Sequence, residues 1–272
     1  MSVTEIAMAI PSTEPFRTIL SHIAKARSGR RILNWLSAPY GLFDTFEEGW
    51  LAARKARSAG HEHPDDIAIH LALSMDLRPS DYAALYWLCQ IPSADIRIFD
   101  FGGNVGNLYY SYSPYLRGKF HAIEWTVLDL PLVVEEGKKL SARWETPEMR
   151  FTLSTADALD CSVLLVSGAF HYWEKSVPAF LEQFVELPEH IILNRTPVHD
   201  AQPSFISVQC TKSYAVPCIV RNAPQLVAEF TAAGYTLIDR WPALELKLRP
   251  PLFPDHAVQH YSGFYFRRGR AT

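Results

Sequence analysis

The chain has 272 residues, 48% of them hydrophobic and 20% charged, which supports a sizeable core and excludes a disordered chain. Twenty-six Lys and Arg against 29 Asp and Glu leave a net charge of −3, so no basic excess marks a dedicated nucleic-acid binder. At about 150 residues per domain, the length predicts one large domain, or a full domain with a smaller one.

Met1 to Ile10 contains Glu5 and neither Lys nor Arg, unlike the basic start of a secretory signal. No stretch approaches the ~20 uninterrupted apolar residues of a membrane span, so a cytoplasmic protein without membrane contact is expected. Phe16, Ile19, Leu20 and Ile23 recur at helical spacing, and Ile32, Leu33, Trp35 and Leu36 continue an apolar face. Thr45, with Glu48 three residues on, reads as a capped helix start ahead of Trp50-Leu51. His61-Glu62-His63 has no third ligand at a recognisable spacing, so a solvated loop is expected there and no metal. Pro64-Asp65-Asp66 opens a stretch holding Ile67, Ile69 and Leu71, and Ser80-Asp81 opens one from Tyr82 to Leu88. Residues 1–92 are therefore expected to form an all-helical cap.

From Ile96 the pattern changes to short apolar runs separated by helical stretches. Strands are predicted at Arg97–Phe101, Glu124–Leu128, Arg150–Ser154, Val163–Ser167, His190–Asn194, Phe205–Cys210, Thr236–Asp239 and Gly263–Phe266. Helices are predicted between the first five and from Ala223 to Ala233. Alternation of this kind predicts an α/β domain over residues 93–272, with a parallel sheet covered on both faces. Its Pro-rich tail is expected to return as an antiparallel hairpin at one edge. Cys89, Cys161, Cys210 and Cys218 lie far apart and form no Cys-x-x-Cys pair, which predicts reduced thiols.

The strongest local signal is Arg97-Ile98-Phe99-Asp100-Phe101-Gly102-Gly103-Asn104-Val105-Gly106, an apolar run closed by an acid and a glycine-rich turn, then a helix from Asn107 to Tyr115. Glycine lets the backbone turn sharply and lets a ligand approach without a β-carbon in the way. The spacing is neither the Gly-x-Gly-x-x-Gly dinucleotide fingerprint nor a P-loop. Asp129 ends the next strand, 23 residues after Gly106, where an acid can accept both ribose hydroxyls of a nucleoside, with Leu130 beside it. After the third strand, Asp157 stands where an adenine amino group could be bonded.

This combination resembles the class I S-adenosylmethionine-dependent methyltransferases from about Ile96 onward. The resemblance implies a Rossmann-like, seven-stranded, mostly parallel sheet with an antiparallel last strand. It places Asp100, Gly102, Gly103, Asn104, Gly106, Asp129, Leu130 and Asp157 around S-adenosylmethionine, without a metal. A narrower resemblance rests on Gly41-Leu42-Phe43-Asp44-Thr45-Phe46-Glu47-Glu48, Asp100-Phe101-Gly102-Gly103, Leu132-Val133-Val134-Glu135-Glu136-Gly137, Asn194-Arg195-Thr196-Pro197 and Val216-Pro217-Cys218-Ile219-Val220-Arg221. These segments look like a bacterial family whose members are mostly called methyltransferases, and which includes azetidine-2-carboxylate synthases of natural-product pathways. That subgroup implies cyclisation of S-adenosylmethionine, with the product passed to a nonribosomal peptide assembly line.

Methyl transfer to a small natural-product or sugar acceptor and cyclisation start from the same sulfonium. Cyclisation additionally needs a free α-amine and a site closed to competing nucleophiles. His171, at the rim after the fourth strand, is a candidate general base, since its ordinary pKa near 6.5 suits that role. Tyr172 could orient the amine through its hydroxyl and offer its ring to the sulfonium, and Asn194 could accept from the same amine. Tyr109 and Tyr110, with Tyr112 and Tyr115, could add cation–π contacts or simply pack the helix. Gln209 and Arg221 could clamp a carboxylate or steady a lid. A catalytically silent binding protein is the third reading, and the intact glycine turn with Asp129 counts against it.

Overall fold

The computed structural model describes residues 14–56, 76–210 and 215–269. The His61-Glu62-His63 segment and the helix expected after Pro64 lie outside these residues. Before the first strand come helices α1 (Glu14–Lys25), α2 (Arg27–Ser37), α3 (Phe46–Ala56) and α4 (Pro79–Cys89). The α/β part follows with β1 (Asp95–Phe101), α5 (Asn107–Leu116), β2 (Ala122–Leu128), α6 (Pro131–Arg143), β3 (Met149–Thr152), β4 (Val163–Ser167), α7 (Val177–Leu181) and β5 (His190–Thr196). An inserted stretch supplies β6 (Val198–His199), β7 (Phe205–Cys210) and β8 (Ala215–Asn222), and the chain ends with α8 (Ala223–Ala232), β9 (Tyr235–Ala243) and β10 (Tyr261–Arg268).

Seven strands form one sheet in the order β3-β2-β1-β4-β5-β10-β9. β1 to β5 run parallel, while β10 is antiparallel to both β5 and β9. This is the Rossmann-like topology expected from the class I methyltransferase resemblance, and the tail does return as an antiparallel hairpin. Its returning strand, β10, slots between β5 and β9, so β9 is the edge. Alternate residues feed opposite cores, as a sheet covered on both sides demands. Ile98, Leu165, Ile192 and Tyr265 face α4, α5 and α6. Phe99, Leu164, Leu193 and Phe264 face α7 and α8. Ala84, Leu85 and Leu88 of α4 belong to the first of these cores, so the packing groups α4 with the large sheet.

The other helices rest on a second, three-stranded sheet of order β6-β8-β7. Ala53 of α3 packs on Val208 and Ala215, and Leu20 and Leu33 close on Phe253 and Phe205. Phe43 bridges directly to Ile206 of β7. The predicted strand Phe205–Cys210 is therefore present, but in this sheet rather than in the parallel one. Helical periodicity placed α1 and α2 but not their buried faces: Phe16, Ile19, Ile32 and Trp35 are exposed, with Trp35 at 79%. All four cysteines are free thiols, and no helix among the described residues is long and apolar enough to cross a membrane.

Candidate functional site

β1 and β2 pair in register from Asp95 and Ala122 to Phe101 and Leu128, so the loops after them begin at the same level of the sheet. The Gly102 N–H donates to the Leu128 carbonyl at 2.7 Å, which starts the turn. Gly102, Asn104 and Gly106 are all left-handed, with φ of 71°, 57° and 90°. Asparagine tolerates that region better than most side chains, which is how Asn104 fits within a glycine turn. A β-carbon on Gly102 would stand 2.4 Å from that of Ala169, so the loops after β1 and β4 are in contact. One on Gly103 would meet the Asp100 carboxylate at 2.4 Å, so that acid lies directly beneath the turn.

Asp129 joins the two loops. Its Oδ2 accepts from the Asn104 N–H at 2.7 Å, and its Oδ1 accepts from the Leu130 N–H at 2.7 Å. Leu130 keeps an exposed apolar side chain beside it, at the start of α6. Asp157 sits on the 3-10 turn Thr155–Ala158 after β3, exposed, accepting from the Thr152 hydroxyl. These residues line the carboxyl ends of the parallel strands, where open α/β sheets bind ligands.

Asp100 is fully buried, and the Trp125 indole donates to its Oδ2 at 3.1 Å. Burial lifts its pKa to about 7; the Trp125 bond works against this, and the Asp129 charge adds to it. The folded chain therefore holds a proton between about pH 4 and pH 7 that the unfolded chain has lost. Stability attached to this group falls as pH rises through that window, by up to roughly 4 kcal/mol, and levels off above it. Asp100→Asn is expected to flatten that part of the profile, read as urea midpoints from pH 4 to pH 8. A variant profile with the parent's slope would place the titration elsewhere.

Three buried polar atoms at the ends of the neighbouring strands β1, β4 and β5 have no hydrogen-bond partner among the described residues: Asp100 Oδ1, Ser167 Oγ and Thr196 Oγ1. Each such atom costs roughly 1–3 kcal/mol unless a polar group meets it, so their alignment along one rim marks a place suited to a polar ligand. Gly168, at the end of β4, is left-handed at φ 75°, and a β-carbon there would meet nothing within 4 Å. The backbone is thus open between Ser167 and Ala169.

Beyond Gly168 the chain makes a short 3-10 turn, Phe170–Tyr172. His171 is buried, its ring centroid 4.1 Å from that of Tyr172. The Tyr172 hydroxyl donates to Gln209 Oε1 at 2.7 Å, and Gln209 Nε2 donates to the Tyr261 hydroxyl at 2.5 Å. Arg221, expected as a carboxylate clamp or a lid support, fastens this strap. Its Nη2 donates to the carbonyls of Trp173 at 2.6 Å and Lys175 at 2.8 Å, and its guanidinium lies 4.9 Å over the Phe170 ring. Burial pulls its pKa down to about 10, with Glu229 offsetting part of the effect.

Three sequence expectations are redirected. Asn194 reaches the rim, but its Oδ1 accepts from the Trp241 indole and its Nδ2 points to Ser80 and Asp81. The contacts this amide makes are to α4 and β9, on the core side of the rim. The Tyr109 hydroxyl donates to Glu148, just ahead of β3 and so at the far end of the sheet, and its ring packs on Trp125. Tyr110 turns its edge to Trp144 at the end of α6. Neither tyrosine faces the glycine turn, because their side of α5 is the side that packs on the sheet. Tyr112 is also buried, bonded to Asp81, while Tyr115 is exposed.

Sequence reading missed a buried polar network behind the rim. It treats Ser80-Asp81 only as a helix start, which it is: Asp81 Oδ2 accepts from the Arg78 N–H at 2.8 Å. Asp81 Oδ1 also takes the Tyr112 hydroxyl at 2.6 Å and the Arg195 guanidinium. Ser80 donates to Glu245, which stands 3.6 Å from Arg195 Nε. The left-handed φ of 54° at Arg195 turns β5 at its end. No spacing rule joins residues 80, 195 and 245. The described residues hold no group of three or more His, Cys, Asp or Glu side chains disposed to bind a metal ion.

No protein-family profile and no curated protein matches the chain by sequence. Solved structures do resemble it in shape. The glycopeptide N-methyltransferase MtfA, crystallised with S-adenosylmethionine, shares 14% identity over 71% of this chain and 95% of its own, with a TM-score of 0.48. The Burkholderia thailandensis 1,6-didemethyltoxoflavin-N1-methyltransferase shares 17% over 85% of this chain and 96% of its own, with a TM-score of 0.42. The N-terminal domain of EvdMO1, in the presence of S-adenosylhomocysteine and D-fucose, shares 12% over 72% and 84%, with a TM-score of 0.45.

Proposed function

We propose that the chain is an enzyme that binds and consumes S-adenosylmethionine at the rim formed by the loops after β1, β2 and β4. The observation that carries this reading is the bond between the Asn104 N–H and Asp129. It holds a carboxylate at the end of β2 against a left-handed glycine turn, the arrangement suited to paired ribose hydroxyls. Leu130 would lie along the purine, and Asp157 would accept from its amino group. The open backbone at Gly168 and the buried Ser167 Oγ would meet the amino-acid end. S-adenosylmethionine supplies carbons made electrophilic by an adjacent sulfonium.

The fold supports methyl transfer to a small acceptor as the broader reading. Cyclisation to azetidine-2-carboxylate, releasing methylthioadenosine, is the narrower one, and sequence resemblance is its main support. In both, His171 and Tyr172, on the strap beside the open backbone, are the residues we propose would meet the attacking nucleophile. Delivery of the product to a nonribosomal peptide assembly line belongs to the cyclisation reading alone.

Incubating the purified protein with S-adenosylmethionine, and following products by mass, separates the readings. Methylthioadenosine with a cyclic amino acid, formed without any acceptor, supports cyclisation. S-adenosylhomocysteine that appears only with an acceptor supports methyl transfer. Absence of binding in calorimetry sinks both. Tyr172→Phe is expected to lower turnover about tenfold or more while leaving affinity for S-adenosylmethionine unchanged, since it removes one hydroxyl and no packing. Unchanged turnover would take the proposed role from Tyr172.

A further inference from the structure

We infer that Gln209 is a positioning residue for Tyr172, fixing its hydroxyl so that the oxygen serves a bound molecule only as an acceptor, for an N–H or O–H donor. The inference deepens the proposed function and rests on its placement of Tyr172 at the reacting centre.

Three side chains from three elements form one chain of hydrogen bonds. Tyr172 lies on the strap after β4, Gln209 on β7 of the second sheet, and Tyr261 at the start of β10 in the large sheet. A phenol hydroxyl turns freely about its C–O bond, so an unguided Tyr172 could present either its proton or its lone pairs. Its proton is given to Gln209 Oε1 at 2.7 Å. Gln209 is held in that orientation because its own amide donates to Tyr261 at 2.5 Å. Tyr261 in turn is buried, its N–H bonded to the Leu246 carbonyl at 3.0 Å, and burial pushes its pKa further above the ordinary phenol range. The far end of the chain is thus fixed to rigid sheet.

The consequence is chemical. With its proton committed, Tyr172 can receive a donor such as an amine N–H but cannot donate to a carboxylate. This matches a nucleophile that arrives carrying its hydrogen. Arg221, on the adjacent strand β8, holds the strap backbone at Trp173 and Lys175, so one strand of the inserted hairpin holds the Tyr172 side chain and the other the main chain that follows it.

The test uses the full chain with four proteins beside the parent: Gln209→Leu, Gln209→Glu, Tyr172→Phe and the double variant Tyr172→Phe/Gln209→Leu. Gln209→Leu should lower kcat on the order of tenfold to a hundredfold, with affinity for S-adenosylmethionine in calorimetry unchanged. Gln209→Glu, which keeps an acceptor for Tyr172, should restore most of the loss. The double variant should turn over no more slowly than Tyr172→Phe, because both remove the same hydroxyl's guidance. Multiplying losses in the double variant, or a Glu variant as slow as the Leu variant, would overturn the inference. Urea unfolding of the same proteins reads the contact without turnover. If the parent binds no S-adenosylmethionine, the proposed function falls and this stability cycle alone decides the contact: coupled losses uphold it, and additive losses overturn it.

Discussion

Asp81→Ala is expected to cost about 3–5 kcal/mol of stability, among the largest losses of any single substitution in this chain. Asp81 is buried at the start of α4 and serves four partners: the Arg78 N–H, the Tyr112 hydroxyl, the Asn194 amide and the Arg195 guanidinium. Arg195 is itself buried, and without Asp81 its remaining counter-charge is Glu245 at 3.6 Å. A buried cation that loses its partner pays the full desolvation cost, while Tyr112 and Asn194 lose an acceptor at the same time. Asp81→Asn should cost less, since it keeps the geometry and removes only the charge. Urea denaturation of both variants measures this. A loss below about 1 kcal/mol for Asp81→Ala would mean that Glu245 neutralises Arg195 on its own, and would remove Asp81 as the centre of the network.

The second large effect falls on ligand binding. Asp129→Ala is expected to weaken affinity for S-adenosylmethionine on the order of a hundredfold, about 3 kcal/mol. Two losses combine. The carboxylate proposed to accept the ribose hydroxyls is gone, and the Asn104 and Leu130 N–H groups that it holds at 2.7 Å are released, so the glycine turn loses its brace. Asp129→Asn keeps an oxygen for the Asn104 N–H and should weaken binding by roughly tenfold, as a neutral acceptor replaces a charged one. Calorimetry on the two variants separates the charge from the brace. Unchanged affinity in Asp129→Ala would strike ribose recognition from the proposal.

Much of the large sheet was legible because its signals are local. Val163–Ser167 was placed to the residue: it is an apolar run flanked by turn signals and buried on both faces. β8 was missed because Pro217 interrupts its run and a proline argues against an inner strand. The structure accommodates it: Pro217 pairs with Val208 on one side, and β6 reaches only Arg221 and Asn222 on the other. The missing N–H therefore falls where no strand waits for it. The glycine turn and Asp129 were legible for the same local reason, each closing a recognisable strand.

Side-chain direction was less legible than element position. Tyr109, Tyr110 and Tyr112 follow the glycine turn closely in sequence, yet the helix buries them, and Glu148, Trp144 and Asp81 receive them. Asn194 lies on β5 as expected, yet its amide bonds to Trp241, Ser80 and Asp81. Both outcomes depend on residues far along the chain that no periodicity connects.

The amino-acid sequence by itself determined the strand-and-helix alternation, the glycine turn at Gly102 to Gly106 and the acid that closes the next strand. Backbone sterics and burial period act over a few residues and leave their mark there. Only the tertiary structure decided that an inserted sheet carries the N-terminal helices, that Gln209 and Arg221 grip the strap bearing Tyr172, and that Asp81, Arg195 and Glu245 meet. Those contacts join residues more than thirty positions apart. Buried polar groups choose their partners by three-dimensional proximity and the cost of remaining unpaired, and neither is written in the spacing along a chain.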